Sequence, residues 1–241
     1  FNKGLSPINE PGLQNLVSKN IKRKTLKLVS DISYVKKTDV IIITVGTPLN
    51  KKYKPDLKQL INTCYEMKKF LKSKQIICIK STVPPGTTRN IISKIFNKKN
   101  VYLSFCPERF SEGTAIKEFK TLPIIIGGIS KIATNQADKF WKKALKIRTI
   151  KVLNSETAEY VKLATNAWID LNIAYANDLA RLSDVLDSKI DILEVIKASN
   201  SLRKGNNYVN ILTPSIGVGG YCLTKDPWFV YSIGKSNKLD L

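Results

Sequence analysis

The sequence predicts an α/β protein: a doubly wound, mainly parallel sheet followed by a helical region built on one long connecting helix. Three observations carry this reading. Short apolar runs alternate with stretches of helical periodicity as far as about residue 152. Several of the runs are continuously apolar, as in strands buried on both faces, where half-exposed strands would alternate. After about residue 154 the strand signals give way to an uninterrupted helical pattern.

Residues 40–45 are apolar except for Thr44 and close on Gly46-Thr47-Pro48, which predicts a buried parallel strand ending in a loop. Asp56 is placed to cap a helix over 57–73, with Leu57, Leu60, Ile61, Cys64 and Met67 on its apolar face. A strand over 75–80 leads into the loop Ser81-Thr82-Val83-Pro84-Pro85-Gly86, then a helix over 87–96 and a strand over 101–105. Residues 123–126 form another strand, ended by Gly127-Gly128, before a helix over 131–146 and an extended segment over 148–152.

The long helix runs from Ser155 to about Leu186, and a second helix covers 190–199. On the long helix Tyr160, Leu163, Ala164, Ala167, Leu171, Ala174 and Tyr175 form the expected core stripe. Glu159, Lys162, Asn166, Asp170 and Asn177 line up on another face, which by itself reads as a wet surface unless it belongs to a site.

Histidine is absent, which removes Ser-His-Asp and Cys-His catalysis and histidine metal sites together. Chemistry is left to Cys, Lys, Asp, Glu and Tyr. Cys64, Cys78, Cys106 and Cys222 contain no CxxC pair, so neither a metal site nor a disulfide framework is indicated, and a reducing cytoplasm is the expected compartment. The net charge of +21 comes from lysines spread over many segments without one basic arm, so no specific nucleic-acid binding is expected, although the positive field would attract a phosphorylated substrate. No apolar run approaches the roughly 20 residues of a membrane span.

The segment richest in chemistry is Gly217-Val218-Gly219-Gly220-Tyr221-Cys222-Leu223-Thr224-Lys225-Asp226-Pro227. Glycines allow tight turns and close approach to a ligand, and a nearby ammonium favours thiolate over thiol, while Asp226 opposes it. If Lys225 and Asp226 begin a helix, both sit near the sulfur, one stabilising the anion and the other placed to activate water. The bland alternative is a glycine turn beside a buried, inert cysteine.

Taken in order, six segments resemble the nucleotide-sugar dehydrogenases of the UDP-glucose/GDP-mannose dehydrogenase family, over nearly the whole chain. They are residues 2–13 (Asn2 to Leu13), Val45-Gly46-Thr47-Pro48, Ser81 to Thr87, Cys106-Pro107-Glu108-Arg109-Phe110-Ser111-Glu112-Gly113, residues 159–166 and residues 217–227. The resemblance implies an NAD-dependent oxidation of the C6 alcohol of a UDP-sugar to a carboxylate, with two NAD⁺ reduced in turn. It implies catalytic roles for Lys162 as base, for Thr82 and Glu112 as holders of a water, for Cys222 as nucleophile, for Asn166 as a stabiliser of negative oxygen and for Asp226 as an orienting group. Thr47, Pro48, Thr82, Glu108 and Lys225 fall to the cofactor, and Glu108, Lys162, Asn166 and Gly219 to the substrate.

The same resemblance implies a Rossmann-like NAD-binding domain over 1–153 that lacks its first βα unit, with its Gly-x-Gly-x-x-Gly cradle. A helical central domain over 154–241 follows, and the family's UDP-binding C-terminal domain is absent, so the chain is expected to be an internal piece of a longer enzyme. The long helix implies a homodimer, with Trp168, Ile173 and Tyr175 on an apolar face too wide for one chain to cover. Residues 209–212 and 226–229 lean to UDP-N-acetylmannosamine over UDP-glucose, while residues 112–117 look equally like the UDP-glucose branch. The alternatives are an inactive truncated copy or partner subunit, and a β-hydroxyacid dehydrogenase, which has no use for Cys222.

Overall fold

The computed structural model describes residues 4–186 and 189–239. The chain divides into two compact units, one of Phe1–Pro48 with Pro55–Lys162 and one of Leu49–Lys54 with Leu163–Leu241.

In the first unit, helix α1 (Leu13–Lys22) and a 3-10 turn (Ile32–Lys37) precede strand β1 (Val40–Ile43). Helix α2 (Lys58–Lys68) follows, with Leu60, Cys64 and Met67 buried as its periodicity requires, and Asp56 accepts a hydrogen bond from the Lys58 N–H at its start. Strand β2 (Ile76–Ile79) leads through a π-helical turn (Thr88–Ile92) and the short helix α3 (Ser93–Ile95) to strand β3 (Tyr102–Phe105). Helix α4 (Ala115–Thr121), strand β4 (Ile124–Gly128), helix α5 (Lys131–Leu145) and strand β5 (Thr149–Lys151) complete the layer.

The five strands lie in sequence order, with β1, β2 and β3 parallel in register Val40↔Ile76 and Ile76↔Tyr102. The expected Rossmann-like, mainly parallel sheet is therefore present, with one feature that periodicity could not convey: β4 runs antiparallel to β3, and β5 is parallel to β4. Ile77, Ile79, Leu103 and Phe105 face one buried cluster with Leu60 and Met67, whereas Cys78 and Cys106 face the other with Ala137 and Trp141 of α5. Two filled faces are what continuous apolar strands demand. Among the described strands β1 lies at one end of the sheet, and Ile42 is exposed there.

Gly127 and Gly128 are the last residues of β4 and do not lie in a loop after it. A Cβ at Gly127 would lie 2.0 Å from the Asn154 carbonyl oxygen and 2.8 Å from the Ala158 Cβ. Glycine there lets the strand pass against the start of helix α6 (Ser155–Leu186), whose bounds match those read from the sequence.

In the second unit, α6 is followed by helix α7 (Ile192–Ser199), capped by Asp191 accepting from the Leu193 and Glu194 N–H groups. A two-stranded ribbon of β6 (Arg203–Lys204) and β7 (Asn207–Tyr208) comes next. The short helix α8 (Gly220–Leu223) and helix α9 (Asp226–Ser236) end the described chain. No helix among the described residues is long and apolar enough to cross a membrane.

Candidate functional site

In the first unit, three loops leave the carboxyl ends of β1, β2 and β3, the edge at which open parallel sheets receive ligands. Ser81 Oγ donates to the Val45 carbonyl at 2.6 Å and Thr47 Oγ1 donates to the Thr82 carbonyl at 2.7 Å, so the first two loops are laced together. Thr47 is buried, Thr82 is half-buried and Pro48 is exposed. In the third loop, Glu108 Oε1 accepts from the Arg109 and Phe110 N–H groups at 2.8 and 3.1 Å. Its other oxygen lies 3.4 Å from Lys80 Nζ. Lys80 is buried at the end of β2 beneath the rings of Trp141 and Phe110, 5.3 and 5.6 Å away. Glu112 is exposed, and its neighbour Gly113 donates its N–H to Glu10 Oε2 at 2.7 Å.

Helix α6 corrects the expected stripe. Tyr160, Leu171 and Tyr175 are 56%, 62% and 53% exposed, and Ala164 and Ala174 are exposed as well; Leu163 is buried and Ala167 half-buried. The polar line is what turns inward, with Glu159, Lys162 and Asn166 all buried. The physical reason is that the segments packed against α6 present backbone groups that need partners. Glu159 takes the Gly86 and Thr88 N–H groups at 2.6 and 2.7 Å. Asn172 donates to the Asn210 carbonyl at 2.6 Å and accepts from the Leu212 N–H at 2.9 Å, and Asn177 accepts from the Ser215 N–H at 2.8 Å. Asn200, just after α7, pairs in the same way with the N–H and C=O of Ile211. The wet-surface reading of this face is therefore wrong for Glu159, Lys162 and Asn166; Asp170 and Asn177 are half-buried.

The cysteine segment lies in the second unit. Cys222 sits in α8 and is exposed, unlike Cys64, Cys78 and Cys106, which are buried. Burial pushes the Cys64 thiol up to about 12. A hydrogen bond with Cys106, then burial, raises the Cys78 thiol well above its ordinary value. Cys222 is thus not buried, contrary to the bland alternative. Asp226 begins α9 with Pro227 behind it, and Lys225 is the capping residue. Lys225 Nζ donates to Asp226 Oδ1 at 2.6 Å, and Asn166 Nδ2 donates to Asp226 Oδ2 at 2.6 Å. Both members of the Lys225–Asp226 pair are buried, and the Lys225 ammonium also lies 4.3 Å from the Phe229 ring centre. The ammonium expected to attend the sulfur is thus engaged by the neighbouring carboxylate. Gly219 is exposed at the start of α8.

Lys162 and Asn166, one helical turn apart, share the inward face of α6. Three groups gained no role from the sequence and carry one in the geometry: Glu159, Lys80 and Asn172. Lys80 had a readable signal, a charge closing an apolar strand. Asn172 had none, since its task depends on a segment some forty residues away.

The loops lie at the sheet edge where open α/β folds receive dinucleotides. Three parallel strands end together, Thr47 and Ser81 fix the first two loops, and buried Lys80 neutralises Glu108 in the third. Among the described residues no group of three Cys, Asp or Glu side chains could hold a metal ion.

Comparison with known proteins agrees with this geometry. Residues 1–145 match the NAD binding domain of the UDP-glucose/GDP-mannose dehydrogenase family, and residues 156–241 match its central domain. A UDP-N-acetyl-D-mannosamine dehydrogenase from Methanococcus maripaludis is 37% identical over 227 residues, covering 92% of this chain and 50% of the relative. The structure of UDP-D-ManNAc dehydrogenase from Pyrococcus horikoshii superposes with a TM-score of 0.87 at 33% identity, covering 97% of this chain and 56% of that one. A UDP-glucose dehydrogenase from Pyrobaculum islandicum gives 0.88 at 25% identity, covering 99% and 56%. The chain spans about half the length of the curated relatives it matches.

Proposed function

We propose, since this chain belongs to the UDP-glucose/GDP-mannose dehydrogenase family, that it carries the chemical residues of an NAD-dependent oxidation of a UDP-sugar C6 alcohol to the uronate. The domains we assign are an NAD-binding one over 1–153 and a central one over 154–241. The observation that carries the reading is the exposed Cys222 on a glycine-rich turn, followed at once by the buried Lys225–Asp226–Asn166 chain. UDP-N-acetylmannosamine is the preferred substrate, supported by the names of the relatives at 37% and 33% identity. UDP-glucose is the second reading, supported by the Pyrobaculum structure.

Bound NAD⁺ supplies a hydride acceptor, used twice. Thr47, Pro48, Thr82, Glu108 and Lys225 are the residues assigned to hold it. Lys162 takes the proton of the C6 hydroxyl, directly or through a water held by Thr82 and Glu112, as the first hydride leaves C6 and an aldehyde forms. The Cys222 thiolate adds to the aldehyde carbon, forming a C–S bond and a hemithioacetal oxygen that Lys162 and Asn166 stabilise. Loss of the second hydride gives a thioester. Water then breaks the C–S bond, returning the thiol and releasing the uronate. In sum, the alcohol, one water and two NAD⁺ yield the carboxylate, two NADH and three protons. Asp226 orients Asn166, to which it is bonded at 2.6 Å. Glu108, Lys162, Asn166 and Gly219 hold the sugar.

The test is to trap the acyl enzyme. Incubation of the protein with NAD⁺ and UDP-N-acetylmannosamine, followed by acid quench and mass spectrometry, is expected to place the sugar acyl mass on the Cys222 peptide. No adduct on that peptide, with uronate still formed, would remove the thiol route.

A further inference from the structure

We propose that Glu159 is a positioning residue: it clamps the backbone of the 81–88 loop to helix α6, so that Thr82 on the loop is held in fixed relation to Lys162 on the helix. The roles of Thr82 and Lys162 rest on the function proposed above; the clamp itself rests on geometry. The Glu159 side chain is fully buried, and its two oxygens are used one each, Oε2 by the Gly86 N–H at 2.6 Å and Oε1 by the Thr88 N–H at 2.7 Å. Those two N–H groups belong to the start of the helical turn that follows the loop, where no intrahelical partner exists. Glu159 thus acts as a cap supplied from more than seventy residues away.

The loop is fixed at both ends. At its start Ser81 bonds the Val45 carbonyl and the Thr82 carbonyl accepts from Thr47; Thr87 Oγ1, near its end, donates back to the Pro84 carbonyl at 2.7 Å. At its end only Gly86 suits the clamp, because φ is +92° and a Cβ would come within 2.8 Å of Asn90 Nδ2. On the helix side Glu159 and Lys162 are three residues apart on one face, so a single turn of hydrogen-bonded backbone separates the clamp from the proposed base.

The clamp has a protonation state. A carboxylate offers acceptors to both N–H groups, whereas a neutral carboxyl keeps one good acceptor oxygen. Burial raises the Glu159 carboxyl to about 7, against the Thr88 and Gly86 hydrogen bonds that favour the anion, and the Glu156 charge adds to the rise. Arg89, which faces Glu156 from the π-helical turn, moderates that repulsion by pairing with it. The clamp is therefore complete only on the alkaline side of neutrality.

Two measurements on the protein decide this. In Glu159→Gln, which offers one acceptor oxygen and turns an NH₂ toward the other N–H, amide hydrogen exchange at Gly86 and Thr88 is expected to quicken about tenfold at about pH 8, as befits loss of one hydrogen bond to a charged group, while β3 amides stay protected. In the wild type, the Gly86 and Thr88 amides are expected to be protected at about pH 8, which holds the proposal open to refutation even if the variant does not fold, and their resonances are expected to shift together with one midpoint near 7. Unchanged exchange in the variant, or unprotected Gly86 and Thr88 amides in the wild type, would overturn the clamp; flat resonances across neutral pH would overturn its protonation switch. In turnover, kcat of the wild type is expected to rise through neutral pH and that of Glu159→Gln to lose this step with KM for the UDP-sugar little changed; a retained step would overturn the link to catalysis. Absence of any NADH formation by the wild type with exchange and titration as expected would leave the clamp standing and sink the proposed function instead.

Discussion

Replacing Asp226 by Asn tests how α9 is anchored. Asp226 is fully buried and receives two hydrogen bonds of 2.6 Å, from the buried Lys225 ammonium and from Asn166. Asparagine preserves the volume and keeps one acceptor, but it leaves the ammonium uncompensated. Removing one partner of a buried pair costs about 3–5 kcal/mol, and the retained acceptor places this case near the low end, at about 3 kcal/mol. That corresponds to roughly a hundredfold increase in the opening equilibrium of α9 (1.36 kcal/mol per factor of ten). Native-state amide exchange along Asp226–Ser236 reads this opening directly. Adding Lys225→Met to Asp226→Asn is expected to recover most of the loss, because the orphaned charge is gone. A single variant whose α9 exchange changes by less than about threefold, roughly 0.7 kcal/mol, would refute the reasoning.

Three further outcomes follow from the same geometry. Glu159 has a folded-state value of about 7 against an ordinary 4.5, so between these values the native form holds a proton that the unfolded form has lost. Stability is then greatest below about pH 4.5 as far as this group is concerned, and falls as pH rises toward 7, by at most about 3 kcal/mol; urea midpoints against pH check it, and Glu159→Gln is expected to flatten the slope. Lys80→Met is expected to change urea stability by less than about 1 kcal/mol, since an apolar side chain of similar length replaces an ammonium whose carboxylate partner is half-exposed and keeps two backbone bonds. The outward stripe of α6, with Trp168 at 57% exposed and a groove of about 660 Å³ beside Leu171 and Tyr175, is proposed as the self-association face; sedimentation is expected to give a dimer for the wild type and a monomer for Leu171→Glu.

The five strands and helices α2 and α5 of the first unit were legible because apolar runs and capping residues are local signals, although α2 ends at Lys68, short of the expected 73. The bounds of α6 were legible for the same reason. Its orientation was not, since the rule that apolar faces turn inward assumes that the packed neighbours are apolar. Here the neighbours include the Gly86 and Thr88 N–H groups and the 210–215 segment, which need polar partners. The direction of β4 was also hidden, because side-chain period is the same in parallel and antiparallel strands, and Gly127-Gly128 read as following the strand when they are its last two residues. Helices α1 and α4 went unassigned: both are short and lysine-rich, and the Glu10 contacts with Gly113 and Ile116 that seat the start of α4 span more than a hundred residues. At the cysteine segment, the reading that Asp226 begins a helix matches the structure, but which group its carboxylate would meet depended on Asn166, sixty residues earlier.

The most direct test of the proposed chemistry is the number of NADH formed per UDP-N-acetylmannosamine consumed to completion, read by absorbance with the sugar product identified by mass. Two NADH with a uronate, falling to no uronate in Cys222→Ser, is the outcome the thiol route predicts; one NADH per sugar with Cys222 intact, or full uronate formation by the serine variant, would contradict it.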